Sequence, residues 1–250
     1  HVIVVLQDAE RVRSELDALQ GLRTGHVEIA TVSGVTTDLL PGVLEQLRER
    51  YPRVTVGVTS LGSQAIPEAV ISGQADIGLA FALPRTADLQ QLGVGHFRLG
   101  AIVPPSHPLA ERAEVSFATC AEYPLILAKS DLSIHHLLAP LLARTRPRHK
   151  APLETSSVEL ALQMAKRGAG VAFQTRIGIE AELAGGTLVH VPLNDGGAVF
   201  SDLGVYVRSS RYLPVAVDAF VRALSEQIGE REAAQGSRSP TGRSGETTVR

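Results

Sequence analysis

From residue 25 the chain alternates short apolar runs with longer segments of helical spacing. Val27–Val32 reads as a strand. The helix after it starts near Asp38, carries Pro41 in its first turn, where a missing N–H costs nothing, and turns Leu40, Val43, Leu44 and Leu47 inward. Tyr51-Pro52 returns the chain to a strand at Val54–Thr59. Ser63 reads as the N-cap of a helix with Ile66, Ala69 and Val70 on its apolar face and Gly73 as its stop, and Asp76–Phe81 as a third, buried strand. A strand–helix–strand–helix–strand unit over 25–81 forces a parallel sheet, because crossover helices join strands that point the same way. It also sets two helix starts, at Ser33–Thr37 and Gly62–Gln64, on the carboxyl edge of that sheet, where free N–H groups favour a small anion.

Beyond a polar connection at Pro84–Gln91, Phe97–Val103 reads as one strand, and Pro104-Pro105-Ser106-His107-Pro108 as a break where the chain enters a second domain. There Pro124–Ala128 is a strand, Ile134–Arg144 a helix, and Arg144–Lys150 a solvated basic loop. Ser156 and Glu159 have capping-box spacing ahead of a helix that turns Leu160, Ala161 and Met164 inward and ends at Gly168. Val171–Phe173 is the next strand, Arg176–Leu183 a helix and Thr187–Pro192 a strand. The polar turn Asn194–Gly197 is the return crossing, followed by a strand at Leu203–Val207 and a helix at Pro214–Ile228 with Val217, Phe220, Val221 and Leu224 on one face. Two crossings give two α/β lobes on a double hinge: lobe I from 25–103 plus 194–235, and lobe II from 104–193. A cleft between such lobes is a natural ligand site. From Gly236 to Arg250 almost nothing is apolar, the composition of a disordered tail.

Residues 1–24 differ in kind. Val2, Val5, Ala9, Val12, Leu16 and Leu19 repeat at alternating spacings of 3 and 4, an a/d seam. Two readings stand for this helix: packing on its own domain, or pairing with a second chain. The chain begins at His1 rather than Met, from which an upstream segment is expected. Val2–Leu6 is too short for the core of a signal peptide, and no apolar stretch approaches the roughly 18 residues that span a bilayer.

Composition narrows the chemistry. With 44% hydrophobic but only 4% aromatic residues and no Trp, the core is built from Ala, Val, Leu and Ile. A net charge of −2 and the lack of basic runs interleaved with aromatics argue against DNA binding by this chain alone. The single cysteine, Cys120, is read as a small buried hydrophobe, with a reactive thiol as the alternative. The eight histidines show no HxxxH or HExxH spacing, so neither metal nor cofactor is expected. There is no GxSxG elbow, P-loop or GxGxxG fingerprint, so no catalytic residue is assigned. Arg167-Gly168-Ala169-Gly170 follows a helix and precedes a strand, the reverse of a dinucleotide site, and reads as a tight turn. What remains is small hydroxyls in three turns drawn from both lobes, which as a group suggest a shared pocket. Lys129-Ser130 could add a positive charge there, and Gln174-Thr175 amide and hydroxyl contacts.

With these residues in place the chain resembles the effector-binding domain of a LysR-type transcriptional regulator over roughly 25–232. The likeness rests on Gly25-His26-Val27-Glu28-Ile29-Ala30, Leu39-Leu40-Pro41 with Tyr51-Pro52, Gly73-Gln74-Ala75-Asp76-Ile77-Gly78-Leu79, and Pro104-Pro105-Ser106-His107-Pro108-Leu109. Ser156-Ser157-Val158-Glu159-Leu160 and Gly168-Ala169-Gly170-Val171 complete it. The resemblance implies a type 2 periplasmic-binding-protein-like fold of two Rossmann-like lobes with an effector between them; the helix starts favour a small, anionic one. It implies a linker helix at 1–24 that pairs two chains into a homodimer or homotetramer, and DNA binding only through an N-terminal winged helix-turn-helix absent from this sequence. A cytoplasmic protein with no membrane partner follows. Carried over residue by residue, the effector contacts are Ser33, Gly34, Val35 and Thr36, then Gly62, Ser63 and Gln64, then Ser156 and Ser157. Phe81, Lys129, Ser130, Gln174 and Thr175 join them as candidates. Gly34 and Val35 replace a frequent hydroxyl, and Phe173-Gln174-Thr175 a commoner aliphatic-Pro ending, which implies an altered pocket floor. The competing reading is an extracytoplasmic solute-binding protein of the same fold, which would need an export signal and leave the seam unexplained.

Overall fold

The computed structural model describes residues 24–83, 85–145, 147, 153–209 and 213–236. The seam Val2–Leu19 and the tail 237–250 lie outside them. Lobe I is a five-stranded sheet of order β2-β1-β3-β10-β4, where β1 is Thr24–Thr31, β2 Arg53–Ser60, β3 Ile77–Phe81, β4 Leu89–Arg98 and β10 Phe200–Arg208. As its crossovers dictate, β1 runs parallel to both β2 and β3, while β10 pairs antiparallel with β3 and β4. The apolar run of β3 is buried along its whole length, as expected of a central strand covered on both faces.

One helical segment starts earlier than the apolar spacing suggests. α1 (Ser33–Asp38) begins directly after β1 and is followed by α2 (Leu40–Arg50), with Pro41 in the first turn of α2. α3 (Ile66–Ile71) begins later than Ser63, because Gly62–Ala65 form a turn closed by the Ala65 N–H on the Gly62 carbonyl.

The strand expected at Phe97–Val103 is two strands in two sheets. β4 ends at Arg98, and β5 (Gly100–Val103) is the centre of a three-stranded antiparallel sheet in lobe II, between β8 (Ala172–Gln174) and β9 (Val189–Pro192). The chain therefore passes between sheets at Leu99, ahead of the proline cluster. The polar connection expected over Pro84–Gln91 gives way at Leu89 to β4, an edge strand with few buried positions and so a weak apolar signal.

In lobe II, β6 (Ile126–Ala128) pairs with β7 (Leu153–Thr155), and a parallel bridge from Leu125 to Val171 joins them to β8 (Ala172–Gln174). β9 is Val189–Pro192, and the helices are α4 (Phe117–Cys120), α5 (Ser133–Arg144), α6 (Val158–Lys166) and the short α7 (Glu180–Ala184). α6 is rotated from the expected register: Leu162 and Ala165 are buried, Ala161 and Met164 only partly so, and Leu160 is exposed. Gly168, at φ +72°, ends it in the left-handed conformation, and Ala169 N–H returns to the Met164 carbonyl. α8 (Val215–Gly236) crosses back over lobe I and packs Val217, Phe220, Val221 and Leu224 into its core.

One segment of lobe II enters the core of lobe I. Ile177, in the loop after β8, is buried in the core of lobe I, a burial worth about 1.5–3 kcal/mol. Beside it, Gly178 sits at φ +88°, where a Cβ would come within 2.7 Å of the Gly34 Cα. Gly178 N–H donates to Asp38 Oδ2 at 3.0 Å, and Arg231 of α8 holds the other oxygen, Oδ1, at 2.8 Å. Gly178→Ala combines a disfavoured backbone with a clash, and lowers stability by about 2–3 kcal/mol in urea unfolding. Gly196→Ala, at φ +85° with open space around it, costs about 1 kcal/mol. Equal effects would contradict the tight junction.

Candidate functional site

A cleft of about 270 Å³ opens between the lobes. Its walls are the segments that follow the carboxyl ends of strands on both sides. Lobe I contributes Val32–Gly34 after β1, Ser60–Ser63 at and after β2, and Phe81 at the end of β3; lobe II contributes Asp131–Ile134, Ser156–Glu159, and Gln174 with Ile177. This is where α/β sheets place ligands, since the chain must leave the strand there and the following helix turns its N–H groups towards the gap.

Ser63 and Ser156 were each expected to cap a helix, and neither does. α3 has no side-chain cap, and its N-cap is Ala65. In α6 the cap is Ser157, whose Oγ accepts from Leu160 N–H at 3.1 Å. The chain turns one residue later than the capping box suggests because Thr155 Oγ1 accepts from Ser157 N–H at 3.0 Å. The hydroxyls of Ser63 and Ser156 therefore make no bond within the described residues. Ser63 is only 5% exposed as a residue, and its free hydroxyl is left for the cleft that it lines. Gln174 is 6% exposed; its Oε1 accepts from Thr175 N–H, leaving its amide N–H₂ for the cleft.

Among the candidates read from the sequence, Ser33, Gly34, Gly62, Ser63, Phe81, Ser156, Ser157 and Gln174 line the cleft. The others do not. Val35 is a lobe I core residue, and Thr36 turns its hydroxyl back to the Val32 carbonyl at 3.2 Å. Thr175 is buried behind the floor, with its hydroxyl unpartnered. Lys129 and Ser130 are exposed outside the lining. Gln64 spans the rim instead: its Nε2 donates to the Ser130 carbonyl at 3.1 Å and lies 3.3 Å from His136 Nε2, a polar tie between the lobes. The start of α5, with Asp131 and Ser133, was missed. Its signal was the polar run Ser130-Asp131-Leu132-Ser133 directly before an apolar helix.

Among the described residues no Lys, Arg or His lines this cleft, while Asp131 and Glu159 do. Among the described residues, no group of three or more His, Cys, Asp or Glu is placed to hold a metal. No helix among them is long and apolar enough to cross a membrane. Cys120 is fully buried away from the cleft, and burial, helped by Asp195, pushes its thiol up to about 12. That is the inert hydrophobe of the two readings.

A family model for the LysR substrate binding domain matches residues 20–229. The chain belongs to the LysR substrate-binding-domain family. Among curated relatives, the HTH-type transcriptional regulator SsuR of Burkholderia cenocepacia is 28% identical over 52% of this chain and 42% of its own length. The regulator BbuR of Bordetella bronchiseptica is 25% identical over 90% of this chain and 70% of its own. The chain thus spans only part of the LysR regulators it matches. In structure, it superposes on the effector-binding domain of QuiR in complex with shikimate with a TM-score of 0.68 at 14% identity, covering 83% of this chain and 98% of that one. This establishes the periplasmic-binding-protein-like fold of the LysR domain.

One buried group sets a pH dependence. His190 Nε2, at the crossing between lobes, is shielded from solvent and has no partner. Burial, and then the charge of Arg176, push its pKa down to about 4. The unfolded chain takes up this proton near pH 6.5 and the folded chain does not. The contribution to stability is therefore complete above about pH 6.5 and is lost as pH falls towards 4, by up to about 3 kcal/mol. His190→Leu flattens the acid limb of stability against pH, leaving the smaller slope from His107, which burial also lowers. An unchanged limb would show that His190 is already solvated.

Proposed function

We propose that this chain is the ligand-sensing domain of a bacterial LysR-type DNA-binding regulator, binding a small carboxylate-bearing metabolite between its lobes. Supporting this most directly is the unpartnered hydroxyl of Ser63, a residue only 5% exposed that lines a cleft built from strand ends of both lobes. A ligand that touches Ser33, Gly34, Gly62, Ser63 and Phe81 on one wall and Ser156, Ser157 and Gln174 on the other favours the closed arrangement by its differential affinity. Chain exchange between lobes falls at Leu99 and over 194–199, so that lobe I holds 24–98 and 200–235 in this reading. The QuiR domain carries shikimate, and a carboxylate here meets the first-turn N–H groups of α5 and α6.

In this reading the domain is not an enzyme. It works in the cytoplasm, pairs with a second copy through the seam Val2–Leu19, and touches DNA only through an N-terminal winged helix-turn-helix. The curated relatives are regulators, which favours this over a solute-binding protein.

A thermal-shift screen of small organic acids, aromatic compounds and amino acids finds the ligand. For that ligand, Ser63→Ala with Ser156→Ala lowers calorimetric affinity about tenfold, or about 1.4 kcal/mol, at an unchanged melting temperature. Unchanged affinity would overturn the assignment of the cleft.

A further inference from the structure

The charge of the cleft lining does not suit a simple anion. Asp131 immediately precedes the N-cap of α5, and Glu159 is the second residue of α6, so each carboxylate stands beside a helix start. Among the described residues neither makes an ion pair or hydrogen bond, and no basic side chain shares the lining. A plain carboxylate would meet two like charges where the helix ends attract it. Opposing charge inside one small site is resolved when the ligand carries both signs.

The donors are placed to match. Ser63 and Gln174, each more than nine-tenths buried as residues, line the cleft and keep the Ser63 hydroxyl and the Gln174 amide N–H₂ free to bind. The first-turn N–H groups of α5 and α6, apart from those of His135 and Leu160, which are already bonded, add more donors on the lobe II wall. Around these polar groups the walls are Val32, Leu61, Phe81, Leu132, Ile134 and Ile177. The enclosed space suits a molecule of roughly ten heavy atoms with an apolar body.

We propose that the cleft selects a zwitterion, an α-amino acid with an apolar side chain. Its carboxylate accepts from the helix starts, Ser63 and Gln174. Its ammonium lies between Asp131 and Glu159, and its side chain rests on the apolar walls. This rests on the reading of the cleft as the effector site and adds the class of ligand to it.

The test is calorimetry on the full chain with matched series: L-valine, L-leucine and L-phenylalanine, the corresponding α-hydroxy acids, and the corresponding acids with neither group. At least one amino acid binds, and its partners lacking the ammonium bind at least tenfold more weakly. Asp131→Asn with Glu159→Gln, which removes charge but little volume, reduces that discrimination to less than threefold. A partner acid that binds as tightly as its amino acid, discrimination that survives in the double variant, or no binding by any member of the series overturns the zwitterion. If another acid from the wider screen binds and loses affinity in the Ser63→Ala, Ser156→Ala variant, the cleft reading stands without it.

Discussion

The backbone of Gly178 lies so close to that of Gly34 that no side chain fits between them, and Ile177 beside it is buried in the core of the other lobe. Asp38, whose side chain is only 7% exposed, fastens the approach by accepting from Gly178 N–H while Arg231 neutralises it. A buried carboxylate with both oxygens engaged is stable where an unpaired one would not be. This junction fixes the floor of the cleft, since Ile177 and Gly34 both line it. The walls can move relative to each other only about this point and the strands that cross between the sheets.

Away from the junction the lobes touch lightly. At the rim, exposed Gln64 reaches the Ser130 carbonyl and His136, contacts of a kind individually worth about 1 kcal/mol and shared with water. A strong, buried contact at the floor and weak, solvated ones at the rim are what a closing cleft needs. The walls also keep their polarity unspent. Hydroxyls that helix capping would have consumed, at Ser63 and Ser156, are left free because the helices begin at Ile66 and Val158.

Much of this was legible in the sequence. The βαβαβ unit over 25–81, the two lobes and the turns that line the cleft follow from apolar period and from glycine and proline punctuation. The misses depend on pairing and hydrogen bonds that apolar period does not encode. The split at Leu99 was hidden because residues 97–103 are continuously strand-like, and only the pairing partners, β10 for β4 and β8 with β9 for β5, divide them. The part-exposed helix face of α6 turned on one residue of register, set by Thr155 rather than by the apolar pattern. The cleft's charge was misjudged because proximity in sequence does not fix which side chains line a cleft. Lys129 is adjacent in sequence but points outside the lining, while Asp131 and Glu159 enter it.

Hydrogen exchange, read by mass spectrometry with and without the ligand found by screening, tests the two-walled cleft most directly. The account predicts that segments 60–65, 131–135 and 156–160 all gain protection on binding, while the amide of Gly178, held by Asp38, is protected in both states. Protection confined to one lobe, or a Gly178 amide that exchanges freely until ligand is added, would contradict it.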